Sequence, residues 1–171
     1  MISRDTLSGS RLALAVTVTA LALCLALAGV VVAGSTGQVL VVEDIETGDH
    51  YITQPVDNGS TVALRYTHSV EKTPVYDEYR VEGETLVNTR MEFESYGWGL
   101  PSRVNVTNVN GTFVYDPPKP ITTLEVLSVS PGRIANHTLI VEDQQYDLVA
   151  ETNATDVRIH VERRTLTDAL T

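Results

Sequence analysis

"PVYDEYRVEGETLVNTRMEF", Pro74 to Phe93, decides the fold. Two strand-like segments flank Gly83, and Glu82–Gly83 reads as the turn of a β-hairpin. Pairing Val81 with Thr85 would bring the Pro74 end of one strand beside the Met91–Phe93 end of the other. Just upstream, "STVALRYTHS" alternates, with Val62, Leu64, Tyr66 and His68 on one face and Ala63, Arg65, Thr67 and Ser69 on the other. Outward from this core the same texture continues in "QVLVVE", "SRVNVT", "GTFVY", "TTLEVLSV", "HTLIVE", "YDLVA" and "DVRIHVE". Asp57-Asn58-Gly59, Asn110-Gly111, Pro117-Pro118 and Pro131-Gly132 punctuate them. No stretch after residue 34 has a helical period. Many short, evenly spaced strands predict an all-β domain, an antiparallel β-sandwich or flattened barrel.

Ahead of that domain, Leu12 to Ala33 is an uncharged apolar run of 22 residues. As a helix it would span roughly 30 Å, the thickness of a bilayer core, and it exceeds the usual signal-peptide apolar region. Arg4 and Arg11 precede it, and no Lys or Arg follows until Arg65. Positive charge stays inside, so the expectation is a single-pass cell-membrane protein with a cytoplasmic N-terminus and an extracellular main domain. The divisions are a tail at 1–11, a transmembrane anchor (or uncleaved signal) at 12–33, a linker at 34–37, the β domain at 38–162 and a C-terminal tail at 163–171.

The chain has 171 residues and a net charge of -10. An acidic, Lys-poor surface resembles proteins of salt-loving archaea and argues against nucleic acid or anionic lipid as partners. The single cysteine, Cys24, lies inside the apolar run, so no disulfide staples the β domain. Asn58, Asn105, Asn110, Asn136 and Asn153 each open an N-x-[ST] sequon, candidate glycosylation sites on an external surface.

The hairpin register brings two polar segments together, "YTHSVEKTPVYDEY" and "FESYGWGLP". His68, Ser69, Glu71, Tyr76, Glu78, Ser95, Tyr96, Gly97, Trp98 and Gly99 are therefore the candidate binding or interaction residues. Each also has a plainer reading. His68 could be a core-edge histidine, Asp77, Glu78 and Arg80 exposed strand charges, and Trp98 a plug for the end of the sheet. Catalysis is not expected. Ser69 beside His68 lacks a nucleophile-elbow sequence, and strand alternation points the two to opposite faces. His50, His68, His137 and His160 are scattered without metal-ligand spacing, so neither metal nor cofactor is expected.

Tyr66, His68, Ser69, Val70, Glu71, Pro74 and Val75, followed by Phe93, Ser95, Gly97, Gly99, Leu100 and Pro101, resemble the paired motifs of an uncharacterised family. Its members are small exported proteins carrying a domain of unknown function, often encoded beside TAXI-type TRAP transporters. Trp98 departs from the small residue more usual there. The resemblance implies a transporter permease or solute-binding protein as partner and supplies no mechanism. The expected function is a membrane-anchored external accessory protein of such a transporter. The alternatives are a small-ligand or carbohydrate binding module, or a structural envelope domain with no discrete ligand.

Overall fold

The computed structural model of the protein describes residues 37–96 and 104–164. They form β1 (Gly37–Asp44), β2 (His50–Val56), β3 (Thr61–Thr67), β4 (Pro74–Glu82), β5 (Thr85–Phe93), β6 (Thr107–Val109) and β7 (Thr112–Tyr115). There follow β8 (Thr122–Leu124), β9 (Val126–Val129), β10 (Thr138–Val141), β11 (Gln144–Asp147), the one-turn helix α1 (Leu148–Glu151) and β12 (Val157–Arg164). Two antiparallel sheets result. One runs β2-β1-β12-β9, the other β11-β10-β3-β4-β5-β7-β6, with β8 pairing on β5.

Period-two burial explains why these segments stay strands. In β4, Val75, Asp77, Tyr79 and Val81 are buried, while Tyr76, Glu78, Arg80 and Glu82 are partly or fully exposed. Leu40, Val42 and Ile159 of the smaller sheet share one apolar core with Val62, Leu64, Val81 and Leu86 of the larger. Burying one such side chain is worth about 1.5–3 kcal/mol. A one-residue slip in register would move a strand's whole apolar set to the wrong face, so this core also fixes the pairing. A second, smaller cluster forms around Val75 and Phe93, with Tyr66 packed against both.

The hairpin forms as its sequence suggests, one residue out of the expected position. Glu82 pairs with Thr85, so the two-residue loop is Gly83–Glu84. Gly83 takes φ +59 at its first position, where a side chain would be strained. Farther along, Tyr79 faces Asn88 but Glu78 faces Arg90, leaving Thr89 as a bulge. The Asn88 side-chain amide donates to the Glu78 carbonyl at 3.0 Å, satisfying a group at the interrupted ladder.

Three local expectations change. His50–Val56, with no strand expected, is the edge strand β2, where Pro55 is tolerated because it lies on the sheet's border. "TTLEVLSV" is two strands, because the chain leaves the larger sheet after Leu124 and enters the smaller at Val126. "YDLVA" stops being a strand at Asp147. That carboxylate accepts the amides of Val149 and Ala150 at 3.0 and 3.1 Å and caps α1, which tucks Leu148 into the core.

The expected membrane helix is the larger correction. Among the described residues no helix is long and apolar enough to cross a membrane. The run at 12–33 that suggested a single-pass anchor lies outside them, as does the tail beyond residue 164. The fold is accordingly an antiparallel β architecture, and neither anchoring nor single-pass topology is carried forward.

Leu40 is fully buried between the sheets. Leu40→Ala should cost about 2–5 kcal/mol through lost burial and a cavity. Val126→Ala, at a half-exposed site, should stay within about 0.5 kcal/mol. Urea unfolding of the two variants beside the parent chain measures both, and equal losses would contradict the shared core.

Candidate functional site

Along β3 the inward positions are Val62, Leu64 and Tyr66, and His68 follows just past the strand's end. β10 pairs Thr138 with Arg65, which sets His137 beside Tyr66. Their rings stack, with centroids 5.2 Å apart and planes 22° from parallel. On the other side β4 pairs Leu64 with Asp77. The apolar face of the larger sheet thus turns polar at one end, with Tyr66, His68, Asp77 and His137 close together in the pairing pattern.

Two loops frame this end. His68 accepts at Nδ1 from the amides of Val70 (3.3 Å) and Glu71 (3.1 Å), and its backbone amide donates to the Thr73 carbonyl at 2.8 Å. The imidazole therefore organises the turn that ends β3, and it is only 8% exposed. The connection from β9 to β10, residues 130–137, crosses from the smaller sheet to the larger. It is anchored by Thr67 N–H to the Ala135 carbonyl (2.7 Å), Asn136 N–H to the Gly132 carbonyl (2.8 Å) and Gly132 N–H to His137 Nδ1 (3.3 Å). Between this connection and the end of β3 lies an open cleft of about 740 Å³, lined by Tyr66, His68, Ser69, Ser130, Arg133 and His137 among others. Its size is that of a small-molecule site.

Two described side chains carry a buried polar atom without a hydrogen-bond partner, His160 at Nδ1 in the smaller sheet and Asp77 beside the cleft. Asp77 is 8% exposed on the core face, and its Oδ1 has no hydrogen-bond partner among the described residues. Burial pushes its carboxyl up to about 6, against the partial relief of a hydrogen bond from Tyr66. Burial and the neighbouring carboxylate together push the Tyr66 phenol well above its ordinary range, and the Tyr79 phenol likewise. Desolvation lowers the His137 imidazole. Tyr66 connects these observations, since it lines the cleft and its phenol is perturbed by the Asp77 carboxylate.

The candidate residues separate. His68 and Ser69 line the cleft. Glu71 is exposed in the adjoining turn. Tyr76 and Glu78 lie on the opposite face of the sheet, in a shallower depression with Arg90 and Glu92. There the polar groups are taken up by one another, Tyr76 Oη donating to Glu78 (3.3 Å) and Arg90 Nε to Glu92 (2.8 Å). Ser95 meets Thr73 at 2.8 Å, so the two polar segments do lie side by side. Tyr96 packs on Phe93 and Phe113. Gly97, Trp98 and Gly99 fall outside the described residues.

Asp77 is buried rather than an exposed strand charge, because alternation puts it in phase with Val75, Tyr79 and Val81. That phase was readable. The contributions of Ser130, Arg133 and His137 were not, since they depend on a crossing between sheets. All five sequon asparagines are exposed. Turn geometry independently accounts for Asn110, Asn136 and Asn153, which adopt φ of 52–53°, a conformation asparagine tolerates. Asn58 accepts the Gly83 amide at 2.7 Å.

The scattered histidines also regroup. His50 and His160 approach Glu43 at 3.5 and 3.7 Å, but Arg158 already donates to that carboxylate at 2.6 Å. Among the described residues no group of three or more His, Cys, Asp or Glu is arranged to hold a metal ion.

A family model described as a domain of unknown function, DUF1850, matches residues 62–148, just over half the chain. No curated protein and no solved structure matches. The match includes the β3 end, the hairpin and the 130–137 connection. It brings no transporter component, and nothing supports the permease or solute-binding protein that the sequence resemblance implied as partner. That partner, and the accessory role built on it, are set aside.

Asp77 makes stability pH-dependent with a definite sign. Its folded-state value near 6 lies above the ordinary 3.8. Below about pH 3.8 both folded and unfolded chains are protonated there and no penalty exists. The penalty grows as pH rises and is complete above about pH 6, at roughly 3 kcal/mol. The stability of Asp77→Asn relative to the parent should therefore rise by about that amount between pH 4 and pH 8. Urea unfolding across that range reads it, and a pH-independent difference would contradict the assignment.

Proposed function

The chain belongs to the DUF1850 family, whose description assigns no activity, and on that premise we propose that its β domain is a small-ligand binding module. The ligand occupies the cleft between the end of β3 and the connection from β9 to β10. One observation carries this reading. The core face of a central strand turns polar beside a cleft of ligand size, and it does so with a carboxylate, Asp77, whose Oδ1 is buried without a partner among the described residues. A sheet built only for packing has no use for that arrangement, since a buried polar group without a partner costs about 1–3 kcal/mol.

The rest of the cleft supports binding rather than turnover. Its walls are set by backbone hydrogen bonds at His68 and across residues 132–137, so the shape exists before a ligand arrives. Preformed walls lower the ordering cost of association. The lining mixes aromatic and aliphatic surface with a few donors, the usual composition of a small-molecule site.

A ligand-blind experiment tests the proposal. The isotope-labelled full chain is titrated with a mixed set of small acids, amines, amides and sugars, and backbone amide NMR shifts are followed. Binders should move the amides of residues 68–71 and 132–137, and Ala135→Trp, which fills the cleft, should weaken them at least tenfold. A set that moves no amides there, or hits that persist unchanged in Ala135→Trp, would overturn it.

A further inference from the structure

The cleft has a sign opposite to that of the protein. In a chain of net charge -10, Arg133 is the only charged side chain among the described residues that line it. Its situation also differs from that of five arginines on the strands. Arg80, Arg90, Arg158 and Arg163 are held by carboxylates, and Arg65 donates to Gln145. Arg133 has no such partner among the described residues. At physiological salt, exposed charges beyond about 8 Å are largely screened. The guanidinium in the cleft therefore outweighs acids farther off for anything bound there, and Glu71, exposed in the adjoining turn, lies outside the lining.

Hydrogen-bond bookkeeping at His137 points the same way. Desolvation keeps this imidazole neutral near pH 7. Its Nδ1 accepts the Gly132 amide, so its single proton is assigned to Nε2 and the ring has a donor left to offer. Ser69 and Ser130 add hydroxyls. Asp77 is not among the lining residues, so among the described residues the lining contains no carboxylate to compete for these donors. Beside them stand apolar surfaces, the stacked Tyr66–His137 pair and Ile134, which is 73% exposed at the cleft. A large aliphatic side chain left in water at the mouth of a cleft is suited to cover an apolar ligand body.

We infer that the ligand is a small organic anion, a carboxylate borne on an apolar body. Its charged end pairs with Arg133, and its body lies between Ile134 and the Tyr66–His137 stack. A planar guanidinium takes a carboxylate through two parallel N–H donors, which favours carboxylate over a neutral isostere. This inference rests on the binding-module reading and adds the chemical class.

The probes are benzoate, benzamide and benzylammonium, nearly isosteric compounds differing in charge, each titrated into the full chain by NMR. Benzoate should move the amides of residues 132–137 and bind at least tenfold more tightly than the other two. Arg133→Gln should weaken benzoate about tenfold and leave benzamide unchanged. The side chain is exposed and has no ion-pair partner among the described residues, so this variant should keep the fold, and its unchanged amide spectrum elsewhere checks that. Benzamide or benzylammonium binding as tightly as benzoate would overturn the inference, as would a benzoate affinity indifferent to Arg133→Gln. If the mixed set finds cleft binders that are sugars or amines, the anion class fails and the binding module stands. If nothing binds the cleft, both fail.

Discussion

Strand β4 is hydrogen-bonded on both sides along almost its whole length, to β3 from Pro74 to Arg80 and to β5 from Val75 to Glu82. That constraint sets the position of everything else on the larger sheet. It fixes which face Asp77 occupies and puts Tyr66 diagonally beside it. It also holds the Thr73 turn against the end of β5, where Thr73 meets Ser95. The single irregularity, the bulge at Thr89, leaves the pairing at both ends intact. On its first half β5 carries β8, and on its second half β7. The chain can then leave through β8 toward the smaller sheet and return through residues 130–137, which form one wall of the cleft.

Much of the sheet could be read from residue alternation. The β3 pattern put Tyr66 and His68 on one face, and both do line the same cleft. The hairpin register brought the two polar segments together, as the Thr73–Ser95 contact requires. Alternation failed where the strand ended. Ser69 was assigned to the face opposite His68, but β3 stops at Thr67, and in the turn both residues border the cleft. It was also applied incompletely. Tyr76 and Glu78 were grouped with His68 although their positions put them on the outer face, and Asp77, in phase with the core, was passed over as a surface charge.

What could not be read was long-range. Nothing local in "SPGRIANH" says that these residues will lie over the end of β3, because that follows from β9 and β10 belonging to different sheets. The break in "TTLEVLSV" has the same origin. It looks continuous in hydrophobicity, yet its two halves serve two sheets. Likewise His50 and His160 meet Glu43 only because β2 and β12 flank β1. The paired motifs pointed through local sequence to a family of unknown function, and a DUF1850 domain is present, while the transporter partner had no physical basis in the chain's own residues.

Asp77 is where fold and site pull apart. Its ionisation opposes folding by roughly 3 kcal/mol at neutral pH, a large part of the 5–15 kcal/mol that a domain of this kind retains. Its neighbours do not require it. Leu64 across the ladder and Val75 and Tyr79 along the strand are core residues that an aliphatic side chain could join, and a well-packed apolar replacement of a buried charge is often neutral or stabilising. The polar neighbourhood of Tyr66 offsets only part of the cost, since burial dominates and Oδ1 has no partner among the described residues. A residue that weakens the core, is not demanded by packing and lies beside the aromatic wall of the cleft is better explained by what it does to that wall. The Asp77 carboxylate acts on the Tyr66 phenol, and that ring, stacked on His137, forms the wall, so the cost in the core falls beside the surface that shapes the cleft.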